Sequence, residues 1–267
     1  METGLYLYCI RLRRDEALEV QRTMSEEEKI LIIPFLELEA VTSEVSIEEF
    51  SSAEIQKKAN EDLGWIKGKA QIHEKVIERA MRPDHSSLIP VIPMQFGVIF
   101  RTRKKLMETL YENLEKFRES LKNLIGREEW GVKVYLDEKV FDEFLGSENE
   151  ELLIQKREAE ALPKGLAFFA KKKIDYKAEE IKEQELAKIT SEISEGLAGT
   201  AVTQIKAKIL DKDFTMSPNE MILNGFFLLE EKRLKEFKSK TEEFKKRFSP
   251  FGIELEISGP WPSYHFA

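Results

Sequence analysis

A single cysteine, Cys9, and three histidines, His73, His85 and His265, are all that 267 residues offer by way of soft ligands and imidazole bases. One thiol excludes an intramolecular disulfide, argues against a thiolate zinc site, and suits a reducing compartment. Cys9 lies in an apolar stretch, where it reads as a small buried hydrophobe rather than a nucleophile. His73-Glu74 opens like the helix of a zinc peptidase, but Ile77 stands where the second ligand belongs, so His73 reads as a hydrogen-bonded histidine on a packed helix face. His85 falls in a turn-like Pro-Asp-His-Ser-Ser stretch, and His265 is two residues from the last position. Gly64 and Gly68 lack the Lys-Ser/Thr of a phosphate loop, and no Gly-x-Ser-x-Gly elbow occurs. No catalytic set, metal site or cofactor is expected.

Long apolar runs are missing too. Residues 30–35 and 88–100 are too short or too broken to span a bilayer, so no membrane span is expected. The first apolar stretch is shorter than a signal-peptide core and its bases follow rather than precede it, which points to the cytoplasm. Nor is there an excess of positive charge. Lys+Arg is 42 against 50 Asp+Glu, a net charge of -8, and residues 1–130 carry 20 bases against 24 acids. Both halves are therefore equally acidic, and with no basic domain a nucleic-acid partner is excluded.

What the chain does contain is core material and helix formers. Hydrophobic residues make up 42%, with 26 aromatics, enough for a substantial core at this length. Glu supplies 42 of the acids and Lys 29 of the bases, which suits solvated helices with i,i+4 pairs.

Periodicity predicts a strand at 5–10, a brief helix at 15–24, and a hairpin of strands 29–34 and 37–45 turning at 34–36. A helix capped by Ser51 or Ser52 follows; Ile66, Ala70, His73, Ile77 and Ala80 form one stripe, and Pro83 stops it. Residues 88–100 read as an edge strand or packed loop, because Pro90 and Pro93 cannot donate to a ladder. One helix is expected over 103–125, with Leu106, Leu110, Leu114, Phe117, Leu121 and Leu124 on one face and Gly126 as its stop. Thereafter come a strand at 132–136, helical residues 137–197 broken near Pro163 and again near Asp175-Tyr176, strands at 200–210 and 221–229, a helix at 230–248 and a strand at 252–257. The expected fold class is α+β in two domains: an N-terminal α+β domain, 1–127, and a modified ferredoxin-like βαββαβ domain, 128–267, with an enlarged helical first crossover and an aromatic tail.

That tail is Gly259-Pro260-Trp261-Pro262-Ser263-Tyr264-His265-Phe266-Ala267. Its prolines stiffen it, so Trp261, Tyr264 and Phe266 would dock at low entropic cost, on a partner or on the chain itself. Large exposed apolar patches are uncommon on monomers, which by itself favours folding back. The tail resembles the Gly-Pro-Trp-Pro-Pro-Tyr-x-Phe ending of the gas vesicle accessory proteins F and L. The resemblance continues in order through Leu5-Tyr6-Leu7-Tyr8, Trp65, Ala70, His73-Glu74, Pro93, Phe96-Gly97, Phe100 and Glu129-Trp130-Gly131. Ser263 departs from the usual second proline, His265 from a small polar residue, and Met94-Gln95 from a common Leu-Arg.

The resemblance implies a non-enzymatic accessory role in forming gas vesicles, the flotation organelles. The implied partners are the small, very hydrophobic shell protein and other accessory proteins. The implied location is the cytoplasm and the vesicle, at its gas-facing inner surface. On this reading Trp261, Tyr264 and Phe266 are partner-contact or tail-docking residues. Trp65, His73, Glu74, Phe96, Gly97, Trp130, Gly259, Pro260 and Pro262 are structural. A rival from another class is a ferredoxin-like small-molecule regulatory module or an enzyme, which would need an enclosed polar pocket near His73 and Glu74.

Overall fold

In a computed structural model of the chain, residues 2–15, 18–25, 29–82, 88–212, 215 and 217–267 are described, the Lys164 side chain apart. They form two units, Met1–Glu129 with Pro260–Ala267, and Trp130–Gly259. Sheet and helix mix in both, an α+β composition.

The first unit is built on β1 (Thr3–Leu12), whose neighbours are β3 (Leu38–Ser46) on one side and the short β4 (Val91–Pro93) and β5 (Ile99–Phe100) on the other. β2 (Leu31–Phe35) pairs with β3, giving the order β2-β3-β1-β4. β1 is apolar from Leu5 to Ile10 because both its faces are covered there. Tyr6, Tyr8 and Cys9 pack with Val76, Ile77 and Ala80 of α2 (Leu63–Met81). Leu7 and Ile10 pack with Leu106 of α3 (Arg103–Glu112) and Leu121 of α4 (Leu114–Leu124). Two consecutive residues, Tyr8 and Cys9, share a face because the register slips between Leu7 and Cys9. A β-bulge absorbs the extra residue. The fully buried Arg11 belongs to the same side: Nε donates to Glu39 Oε1 at 2.7 Å and Nη1 to the Ala80 carbonyl at 2.8 Å. Arg11 is one of three arginines at 11–14, where charge alone favours a solvated face; the Glu39 carboxylate on β3 is what lets Arg11 be buried.

Several boundaries differ from expectation for local reasons. Residues 18–25 are not helical, because tertiary partners take their backbone groups: the Lys69 amine donates to the Met24 carbonyl and the Met24 N–H to the Tyr8 hydroxyl. Residues 16 and 17 of that expected helix, and Pro83 and His85, lie outside the described residues. Ser51 caps α1 (Ser52–Glu61), and Asp62 separates it from α2 by accepting the Trp65 N–H. The helix expected over 103–125 breaks at Asn113, whose side-chain amide donates to the Thr109 carbonyl. Such local bonds compete with the helical ladder.

In the second unit the order is β6 (Arg127–Leu136), α5 (Glu138–Glu148), α6 (Glu150–Glu160), α7 (Lys164–Ala198), β7 (Thr203–Lys206), β8 (Glu220–Glu230), α8 (Leu234–Phe248) and β9 (Ile253–Trp261). The sheet runs β7-β8-β6-β9. Val132, Val134 and Leu136 of β6 meet Phe227 and Leu229 of β8, Phe237, Phe244 and Phe248 of α8, and Ile193 and Leu197 of α7. α7 runs unbroken through Asp175-Tyr176, where an interruption is expected; the break falls instead at Asn149, which caps α6 by accepting the Leu152 N–H. The nearly buried Lys182 amine sits 2.7 Å from Glu138 and 2.9 Å from Asp142, tying α7 to α5. Residues 260–267 group with the first unit, whereas the sequence reading attaches them to 128–267. The physical reason is where their hydrogen bonds go.

Two glycines should respond oppositely to alanine. Gly252 has φ 75°, and a Cβ there would lie 2.8 Å from the Asp137 carbonyl, whereas nothing lies within 4 Å of a Cβ at Gly68 in α2. Gly252→Ala is expected to lower the unfolding free energy by about 1–3 kcal/mol. Gly68→Ala is expected to raise it by up to about 1 kcal/mol. Urea midpoints decide both.

Candidate functional site

The residues that make up the motifs converge mostly in the first unit, around α2. Asp62 and the alternation of buried positions fix which face α2 turns inward: Lys69, His73, Val76, Ile77 and Ala80 are buried. On the facing strand Tyr6 and Tyr8 point the same way, being two apart in a β-strand. Tyr6 Oη lies 2.9 Å from His73 Nδ1 and accepts the Gly97 N–H at 3.0 Å. His73 Nε2 lies 3.0 Å from the Met94 carbonyl, so it carries the proton and Nδ1 accepts from Tyr6. Gly97 takes φ 90°, which lets the 94–98 loop fold over the tyrosine. Phe96 packs edge-on against both rings.

Burial in this aromatic surround pushes His73 down to about 4, against the upward pull of the Met94 carbonyl. Burial also raises the Tyr6 and Tyr8 hydroxyls and lifts the Cys9 thiol to about 12. With one nitrogen on Met94 and the other on Tyr6, His73 presents neither to a substrate. Its place is that of a strut.

The tail attaches beside it. The Tyr264 hydroxyl donates to Glu74 Oε2 at 2.8 Å, and His265 reaches Glu129 twice, through its backbone N–H at 3.1 Å and its Nδ1 at 2.7 Å. Glu129 is 1% exposed. Burial raises its pKa, while both bonds from His265 pull it back. Glu74 is raised for the same reason, the Tyr264 bond opposing and the charges of Glu78 and Glu129 adding. Its Oε1 is buried with no hydrogen-bond partner. Pro262 and Ser263 are buried, whereas Trp261 and Tyr264 stay 36% and 39% exposed. Trp261 lies in a shallow crevice with Met81, Leu88, Pro90 and Leu124.

Of the residues singled out from sequence, the structure gathers His73, Glu74, Phe96, Gly97, Trp261, Pro262 and Tyr264 in one unit. Pro260 begins that tail, Gly259 with φ 133° is the last residue of the other unit, and Phe266 is half-buried. Trp65 stands apart from the tail, its ring 5.6 Å from that of Phe50. Trp130 belongs to the second unit, buried under the Lys238 amine 4.3 Å from its ring. Glu129 and His265 are the pair that sequence reasoning passes over. Glu128-Glu129 reads equally well as a solvated turn, and only the strand phase, which turns Glu129 inward, tells the two acids apart.

This arrangement defines a scaffold in which a buried polar network holds an aromatic C-terminal segment. A family model described as "Gas vesicle synthesis protein GvpL/GvpF" matches residues 4–267, and the chain belongs to that family. It is 25% identical over 231 residues to gas vesicle protein L of a Streptomyces species, covering 86% of this chain and 80% of that one. Its fold is similar to the crystal structure of gas vesicle protein GvpF from Anabaena sp. PCC7120, with TM-score 0.72, 20% identity, and 99% and 98% of the two chains covered. A second GvpF structure, from Microcystis aeruginosa, gives TM-score 0.66 at 18% identity, covering 98% of each chain. Family membership thus supports a role connected with gas vesicles.

The His73 geometry makes stability pH-dependent with a definite sign. Because the folded pKa lies near 4, below the usual 6.5, the unfolded chain binds the proton first as pH falls. The contribution is therefore whole above pH 6.5 and is lost progressively down to pH 4, about 3 kcal/mol in all. Glu74 and Glu129, raised in the fold, act in the opposite sense at lower pH, so the stability difference between wild type and His73→Gln isolates the imidazole. That difference should shrink from pH 7.5 to pH 5 in urea titrations; a constant difference would refute a buried neutral ring. Tyr264→Phe strips Glu74 of its one donor and should loosen the tail by about 1–3 kcal/mol. Hydrogen exchange of the amides in 263–267 should accelerate at least tenfold.

Proposed function

We propose that this chain is an assembly accessory factor and minor vesicle component that binds the small, hydrophobic gas vesicle shell protein and limits its aggregation during nucleation, without a catalytic step. The observation that carries this reading is the family match over residues 4–267. The tail geometry supports a mechanism. An aggregation-prone apolar subunit needs an apolar surface whose side chains are already ordered, since ordering them on binding costs affinity. Trp261 and Tyr264 are held by the docked segment 260–267 yet keep more than a third of their surface free, the state expected of interface anchors. The net charge of -8 then keeps the complex dispersed.

The sheet order β7-β8-β6-β9 supports reading the second unit as a modified ferredoxin-like βαββαβ domain whose first crossover is enlarged by α5, α6 and α7. On this reading the protein works in the cytoplasm and at the inner surface of the vesicle. The balanced charge of its halves leaves nucleic acid aside. Among the described residues no helix is long and apolar enough to cross a membrane.

Light scattering of the shell protein provides the test. The full chain at equimolar ratio should delay the onset of scattering, and Trp261→Ala should shorten that delay severalfold while the chain stays folded by circular dichroism. A full chain that neither binds the shell protein nor delays scattering would overturn the proposal. A truncation after Ser258 that unfolds the protein would show the tail to be structural alone.

A further inference from the structure

α7 carries apolar side chains on two faces, and the second unit uses only one of them. Ile174, Ile181, Ile193 and Leu197 are buried in the core. The opposite stripe, which a 3.6-residue period assigns to Leu166, Phe169, Lys172, Lys173, Tyr176, Glu180, Glu183 and Ala187, is exposed, with Phe169 and Tyr176 each 70% accessible. Phe168, on its flank, is 67% accessible and packs edge-on against Phe169. Aromatic rings displayed this way on a charged helix call for a cover.

The charge pattern identifies the cover. Lys172 and Lys173 lie in the first half of the stripe and Glu180 and Glu183 in the second. Within the chain Glu180 pairs with Lys177 at 3.1 Å. The sign of the stripe therefore reverses near Lys177. A parallel copy of the helix would set like charge on like; an antiparallel copy sets Lys172 and Lys173 beside Glu183 and Glu180 twice over, with Phe169 facing the small Ala187 and Tyr176 near the crossing.

The geometry points to self-association through α7: two copies of this chain pair antiparallel along residues 165–187, about a twofold axis near Lys177. The contact is isologous, as in most homodimers. Twenty-odd helical residues span roughly 33 Å. One helix pair of that length buries less than the ~1,600 Å² of a standard interface, so the association is micromolar and salt-sensitive. It is independent of the shell-protein reading, which rests on the other unit.

Sedimentation equilibrium of the full chain from 5 to 500 μM tests it. Wild type should dimerise, with the dissociation constant rising at least tenfold between 50 mM and 1 M salt. Lys172→Glu with Lys173→Glu, and separately Glu180→Lys with Glu183→Lys, should each weaken self-association at least tenfold. An equimolar mixture of the two variants should restore the dimer, because an all-acidic stripe then meets an all-basic one. Phe169→Ser should weaken it with all charges kept. A wild type that stays monomeric throughout overturns the proposal, including one that instead sediments with vesicles containing anionic lipid. Charge-reversed variants that dimerise like wild type, or whose mixture stays monomeric, overturn it as well.

Discussion

With its two ring nitrogens engaged, one accepting from Tyr6 and the other donating to Met94, His73 joins three segments distant in sequence: the central strand, the long helix α2 and the 94–98 loop. A buried donor or acceptor left unpaired costs on the order of 1–3 kcal/mol, so these segments settle where all the bonds close together. The constraint propagates. Tyr6 also holds the Gly97 amide, which fixes the loop, and Tyr8 holds the Met24 amide, which fixes the segment before β2. The next residue along α2, Glu74, is thereby aimed at the tail.

Buried charge in this acidic protein is arranged with the same economy. Arg11 and Glu39 meet inside the first unit, where Glu39 also accepts the Arg14 amide. Lys182 sits between two carboxylates in the second. Neither pair is strong evidence of added stability, since desolvation offsets much of the attraction. What they confer is register: Arg11 can meet both Glu39 and the Ala80 carbonyl in one arrangement of β1, β3 and α2.

Much of this was legible from the residues alone, and the exceptions share a cause. The hairpin at 34–36, the proline-interrupted edge at 88–100 and the His73, Ile77 and Ala80 part of the α2 stripe follow from periodicity and backbone chemistry, whereas Ala70 is exposed and Lys69 is buried in its place. The tail with its ordered companion motifs pointed to the family. Asn113 and Asn149 escaped because an asparagine inside an apolar period gives no signal until its side chain takes a backbone partner. Residues 18–25 have helical composition but spend their backbone bonds on Lys69 and Tyr8. The Glu129–His265 pair joins positions 136 residues apart, and nothing local marks the two as partners.

Residues 260–267 complete the first unit although residues 130–259 fold as the second. During synthesis the body that holds Glu74 and Glu129 must therefore wait, with those carboxylates lacking the donors of Tyr264 and His265, until the whole intervening unit has left the ribosome. A chain that stops before Tyr264 leaves both carboxylates without those donors, so the surface around α2 is set by the residues made last.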